Sequence, residues 1–74
     1  IDFTLPRSDD VNVTIYNLVG QQIKVLVNSN LEYGYHTVTW NGLDQLGRPV
    51  ASGVYFSELR TRNFRKTKKM LLLK

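Results

Sequence analysis

Hydrophobic and polar residues alternate with a period of two along most of this chain, and the 3.6-residue period of an amphipathic helix is nearly absent. Ile1, Phe3 and Leu5 alternate with Asp2 and Thr4 until Pro6 ends the run. Val11, Val13 and Ile15 share one face, with Asn12, Thr14 and Tyr16 on the other. Residues 22–27 set Ile23, Val25 and Val27 against Gln22, Lys24 and Leu26; with residues 11–17 they read as a hairpin closed around Gly20. Residues 35–40 place His36, Val38 and Trp40 on one face and Tyr35, Thr37 and Thr39 on the other. In residues 53–59 the inward parity is assigned to Tyr55, Ser57 and Leu59, because it carries an apolar residue furthest along the strand. Residues 67–73 form the last predicted strand. There Met70 and Leu72 oppose Leu71 and Leu73, so either face has the character of a buried one.

Turn chemistry separates these segments. Residues 7–10 read as polar turn material, 28–34 as a loop with Gly34 at a positive φ, and 60–66 as a basic turn around Phe64. Asn41-Gly42 and the stretch from Asp44 through Gly47 to Pro49 are successive turns. Six or seven short strands without a helix predict an all-β fold, a small antiparallel β-sandwich or barrel. Two facing sheets would enclose Val13, Ile15, Ile23, Val25, Val38, Trp40 and Tyr55.

The chain has 74 residues, which gives one domain with a thin core: a globule of this size buries only about 60% of its unfolded surface. There is no cysteine and a single histidine, His36, which excludes disulfides, thiolate chemistry and multi-histidine metal sites. No apolar run approaches the length of a membrane-spanning helix. The net charge of +4 is unevenly placed. All six carboxylates lie in residues 1–59 with three basic residues, whereas residues 60–74 hold Arg60, Arg62, Arg65, Lys66, Lys68, Lys69 and Lys74 and no acid. Such a basic segment fits a local partner, a membrane surface or nucleic acid, or a solvated edge strand that lysines keep from aggregating. The opening at Ile1, with no basic n-region or apolar h-region, reads as that of a piece of something longer, and the end, one residue after an apolar strand, is expected to be a natural C-terminus.

Candidate chemistry is sparse. The adjacent acids Asp9 and Asp10 lie in a turn with their side chains pointing apart and no cleft between them, so hydrolysis by paired carboxylates is not expected. Asp44 with Gly47 fits an Asx-type turn better than a calcium loop, which needs more oxygen ligands. Asn12-Val13-Thr14 matches a glycosylation pattern inside a strand and carries little weight. His36 is expected at a rim with one hydrogen bond. Tyr33 and Tyr35, on either side of Gly34, are the best hint of a carbohydrate platform. The basic segment has only Phe64 among its cations, too few aromatics for a nucleic-acid surface. No cofactor, metal or catalytic residue is expected.

The order of pieces along the chain is more specific. Phe3-Thr4-Leu5-Pro6 is followed by Val11-x-Val13-x-Ile15-Tyr16-Asn17-x-x-Gly20-Gln21, Val25-Leu26 and Gly34-x-His36-x-Val38-x-Trp40-Asn41-Gly42. Then come Asp44-x-x-Gly47-x-Pro49-Val50, Ala51-Ser52-Gly53-Val54-Tyr55 and Thr67-Lys68-Lys69-Met70-x-Leu72-Leu73-Lys74. In this order the chain resembles the C-terminal domain of proteins exported by the type IX (Por) secretion system. That domain is similar to the immunoglobulin-like (Ig-like) domain of the flagellar hook-capping protein. The resemblance implies a small Ig-like β-sandwich spanning residues 1–74 at the end of a longer secreted protein. It also implies a non-catalytic sorting and attachment module, read by the outer-membrane translocon after passage through the periplasm. Its partners would be the secretion and cell-surface attachment machinery and an upstream passenger domain, with no nucleic acid, no membrane span, and edge-strand self-association open. Lys68, Lys69, Met70, Leu72 and Lys74 map onto the family's recognition segment; Gly20, Trp40, Gly42, Asp44, Gly47, Gly53 and Tyr55 map onto its fold-defining positions. Asn63 stands where many members have a glycine and is expected to take the left-handed position. The other readings are a structural Ig-like accessory or capping domain of an extracellular protein, and a carbohydrate-binding module using Tyr33 and Tyr35.

Overall fold

A computed structural model describes residues 1–74 as six β-strands with no helix. They are β1 (Asp2–Leu5), β2 (Asp9–Asn17), β3 (Gln22–Leu31), β4 (Gly34–Thr37), β5 (Gly53–Arg60) and β6 (Arg65–Leu72). Antiparallel pairing orders the large sheet β3-β2-β5-β6, and β1 pairs with β4 in a second, two-stranded sheet. The chain is an all-β, Ig-like antiparallel sandwich with four strands facing two.

The inward residues of β1 and β2 make the core. Phe3, Leu5, Val11, Val13 and Leu59 form one buried cluster, and Ile1, Leu26, Val27, Leu31 and Val38 pack against it half-buried. Ile15 is also fully buried, opposite Ser57 of β5. Tyr55, Ser57 and Leu59 all face inward and are buried, the assigned parity of that strand. Thr14 is buried on the outer face, its hydroxyl donating to Asn12 Oδ1 at 2.6 Å.

Several expectations need correction. Ile23, Val25, Val38 and Trp40 are half-buried, and Phe3, Leu5, Val11 and Leu59 take their place in the core. The cause in β3 is irregular pairing. Val13 faces Val27 and Thr14 faces Val25, which skips Leu26; Ile15 faces Lys24 and Tyr16 faces Gln22, which skips Ile23. Each extra residue resets the alternation, as bulges do, so Leu26 and Val27 both reach the core. Val38 and Trp40 lie beyond the end of β4. Residues 28–31 continue β3 rather than forming a loop, and Asp9 and Asp10 open β2 rather than lying in a turn. Asn63 does not adopt a positive φ, since only glycines do. Its turn is held by hydrogen bonds to Thr61 and Asp9 instead.

Candidate functional site: the basic edge strand

β6 runs along one edge of the large sheet and pairs only with β5. The turn that launches it is built from side chains. Thr61 N donates to Phe64 O at 2.8 Å, and Thr61 Oγ1 accepts from the backbone N–H groups of Asn63 and Phe64. Beneath it sits the buried Asp9 carboxylate, accepting from Arg62 N at 3.3 Å and Asn63 Nδ2 at 3.0 Å. Asp10, the next residue of β2, points to the other face, where Arg62 donates through Nε at 3.0 Å and Nη2 at 2.6 Å. The hydrogen bond from Asn30, then those from Arg62 and its charge, hold the Asp10 carboxyl below the usual carboxylate range. Hydrogen bonding to Asp10 raises the Arg62 guanidinium in turn.

Register divides the expected recognition residues between two faces. Lys68, Met70 and Leu72 lie opposite Ser57, Tyr55 and Gly53, on the inward side of β6. Met70 and Leu72 are half-buried and line an apolar notch with Ile1, Val38 and Trp40. Lys69 lies opposite Phe56 on the outer side, next to the exposed Leu71 and Leu73. Lys74 follows the strand, its N–H donating to Ser52 Oγ at 3.1 Å. Lys66, Lys68 and Lys69 take part in no ion pair; Arg65 reaches Glu58 at 3.8 Å.

The other motif positions shape the loops around this strand. Trp40 packs edge-on against Tyr55, with ring centroids 5.1 Å apart, and its Nε1 donates to Leu43 O at 2.8 Å. The Tyr55 hydroxyl donates to Ala51 O at 2.6 Å. Gly42 is buried at φ 79°, and a side chain there would meet Leu72 of β6 at 3.7 Å, so backbone and strand approach closely. Asp44 Oδ1 accepts from Leu46 N and Arg48 N, both at 2.9 Å, and Oδ2 accepts from Arg48 Nε at 3.2 Å. The Arg48 backbone bond is the largest cause lowering the Asp44 pKa. Gly47, at φ 80°, lets the loop close back on Asp44 O. Gly20 closes the β2–β3 turn by donating to Asn17 O, and Gly53 opens β5.

His36 stacks on Phe3 at 5.4 Å, and its Nε2 lies 2.7 Å from Glu32 O. Tyr33 and Tyr35 are both exposed. The largest concavity, about 470 Å³, is polar and lies on the outer face between Asn12, Asn28, Asn30, Arg60 and the Asp10–Arg62 pair. No three His, Cys, Asp or Glu side chains gather as a metal site, and no helix is long and apolar enough to cross a membrane. What this geometry presents is a strand edge, unpaired cations and a half-buried apolar row.

Comparison with family models matches the chain to the FlgD Ig-like domain over residues 1–63. The chain belongs to this family. The FlgD Ig-like match covers β1 to β5 and the first residues of the turn beyond, and it stops one residue short of β6. Comparison with curated proteins and with solved structures returns no match. The buried acid Asp9 was not identifiable from sequence, because its partners Arg62 and Asn63 lie 53 and 54 positions away.

Proposed function

We propose that this FlgD Ig-like domain is a non-catalytic sorting and attachment module whose β6 is read by the outer-membrane type IX translocon. It would deliver an upstream passenger domain through the periplasm to the cell surface or the medium. The observation that carries this reading is the placement of β6. The segment with the sorting-type pattern Thr67-Lys68-Lys69-Met70 is the sheet's outermost strand, with an open edge and lysines bound to no carboxylate. It also lies beyond the part of the chain that the FlgD Ig-like model accounts for. A partner reads such a strand by its charges and its backbone edge without unfolding the domain.

Deleting residues 69–74 is a poor test, because it removes Met70 and Leu72 from the notch beside Trp40. The cleaner test fuses the chain behind a periplasmic reporter in a type IX-competent bacterium and compares the parent with Lys68→Glu/Lys69→Glu. Loss of surface and medium reporter, with an unchanged thermal melt of the purified domain, supports the address. Unchanged export, or a parent fusion that never leaves the periplasm, refutes it. The second reading, a structural accessory domain of an extracellular protein, is favoured by the family membership itself. In that case β6 is structural, and charge reversal affects neither export nor assembly.

A further inference from the structure

The two sheets are unequal, and their offset leaves a slot beside β1. A concavity of about 210 Å³ touches Ile1, Asp2, Phe3 and Thr4 on one side and Leu59, Phe64, Lys66 and Lys68 on the other, with Ser57 between them. Side chains of a strand alternate between faces, so a cavity that touches four consecutive residues runs along the strand's edge. The hydrogen bonds of β1 agree. Ile1 exchanges both backbone bonds with Val38, at 2.8 Å each. Antiparallel pairing alternates, so Asp2 and Thr4 turn their N–H and C=O groups away from β4, toward the slot. The floor is apolar at Leu59 and Phe64 and cationic at Lys66 and Lys68, neither of which has an acidic partner.

We infer that this slot takes an extended acidic segment of a partner protein, which adds to β1 as the third strand of the small sheet. Its backbone pairs with Asp2 and Thr4, and its inward row alternates carboxylates over Lys66 and Lys68 with small apolar side chains over Leu59 and Phe64. Charge decides the class of occupant. A second copy would bring its own basic β6 toward these lysines, whereas an acidic strand neutralises them. This site is the edge of β1, and of the residues proposed for export only Lys68 lines it.

The probe is a fluorescein-labelled seven-residue peptide, Glu-Ser-Val-Thr-Glu-Ser-Val, capped at both ends, whose odd positions alternate Glu and Val on one face of a strand; it is titrated into the 74-residue chain by anisotropy. Saturable binding is expected, with slowed amide exchange at Asp2 and Thr4. Lys66→Glu/Lys68→Glu should weaken it about tenfold or more, and Lys69→Glu, on the outer face, should leave it unchanged. Thr4→Pro should abolish it while the fold persists, because proline is tolerated where a strand's N–H faces outward. Should Thr4→Pro unfold, the exchange pattern of the parent chain decides alone. The proposal fails if Lys69→Glu weakens binding as much as the paired reversal. It fails equally if the same peptide with its alternate backbone amides N-methylated, which keeps the charges and removes the N–H donors, binds as tightly. Protection appearing on β6 rather than β1, or a chain that dimerises through the slot without peptide, also overturns it.

Discussion

The large sheet has two edges, and the molecule treats them differently. At the β3 edge the loop of residues 41–50 is laid alongside: Gln45 N donates to Ile23 O at 2.9 Å, and Gln45 Oε1 accepts from Val25 N at 2.9 Å. Two irregularities of register twist the same strand, and Asn30 is tied to Asp10 at 3.1 Å. At the β6 edge no loop intervenes, and the strand carries Arg65, Lys66, Lys68 and Lys69. Covering an edge removes its pairing potential, whereas guarding it with charge leaves that potential open to a partner of opposite charge. The stability of the sheet is therefore expected to reside in its centre and its β3 side, and the recognition proposed above uses β6 and the edge of β1.

Substitutions grade this contrast. Ile15→Ala, between the two edges, should cost about 2–4 kcal/mol, enough to unfold much of a domain this small. A loss below about 1 kcal/mol in a denaturant melt would mean that the centre does not hold the sheet together. Gln45→Ala comes next, at about 1 kcal/mol, because it removes the side-chain acceptor of Val25 N and leaves the backbone bond to Ile23. Faster amide exchange confined to Val25 and its neighbours is the direct readout. Exchange that rises equally in β6 would erase the distinction between the edges.

Acid should also act on the β3 side. Asp44 shapes the loop that presents Gln45, and Asp10 bonds Asn30, and both carboxyls titrate below their ordinary value in the fold. A depressed folded pKa contributes stability that is fully present above the unfolded value, about 4, and is lost as pH falls through the folded one. Melting temperature should therefore decline below about pH 4, with a shallower decline in Asp10→Asn/Asp44→Asn. An identical acid profile for that double variant would assign the acid sensitivity elsewhere.

How far the sequence could be read follows the same division. Strict alternation made Val11, Val13 and Ile15 legible as one face, and the parity of Tyr55, Ser57 and Leu59 could be assigned from the position of Leu59. In β3 the period-two rule failed, because two unpaired residues reset the faces and no local signal at Ile23 or Leu26 announces them. The strand content of residues 28–31 was hidden by polar residues that lie on an exposed stretch of β3. The basic character of β6 was visible, but its edge position was not, since strand order depends on pairings between distant segments. The anchoring of the 61–64 turn by Asp9 escaped for the same reason.

The smallest effect on stability belongs to the lysines of β6, and there the contrast between the edges is sharpest. Lys68 and Lys69 are exposed, unpaired and bonded to the sheet only through their backbone, so Lys68→Ala/Lys69→Ala should shift stability by less than about 0.5 kcal/mol. Removing two like charges from a crowded basic strand also relieves some repulsion, so a slight gain is as consistent as a slight loss. Two assays on this one variant then separate architecture from recognition. An unchanged melt with impaired delivery of a fused passenger makes the β6 edge a surface kept for a partner. A melt lowered as far as that of Ile15→Ala would instead make the lysines part of the structural scaffold, and the two edges would differ only in the means by which each is held.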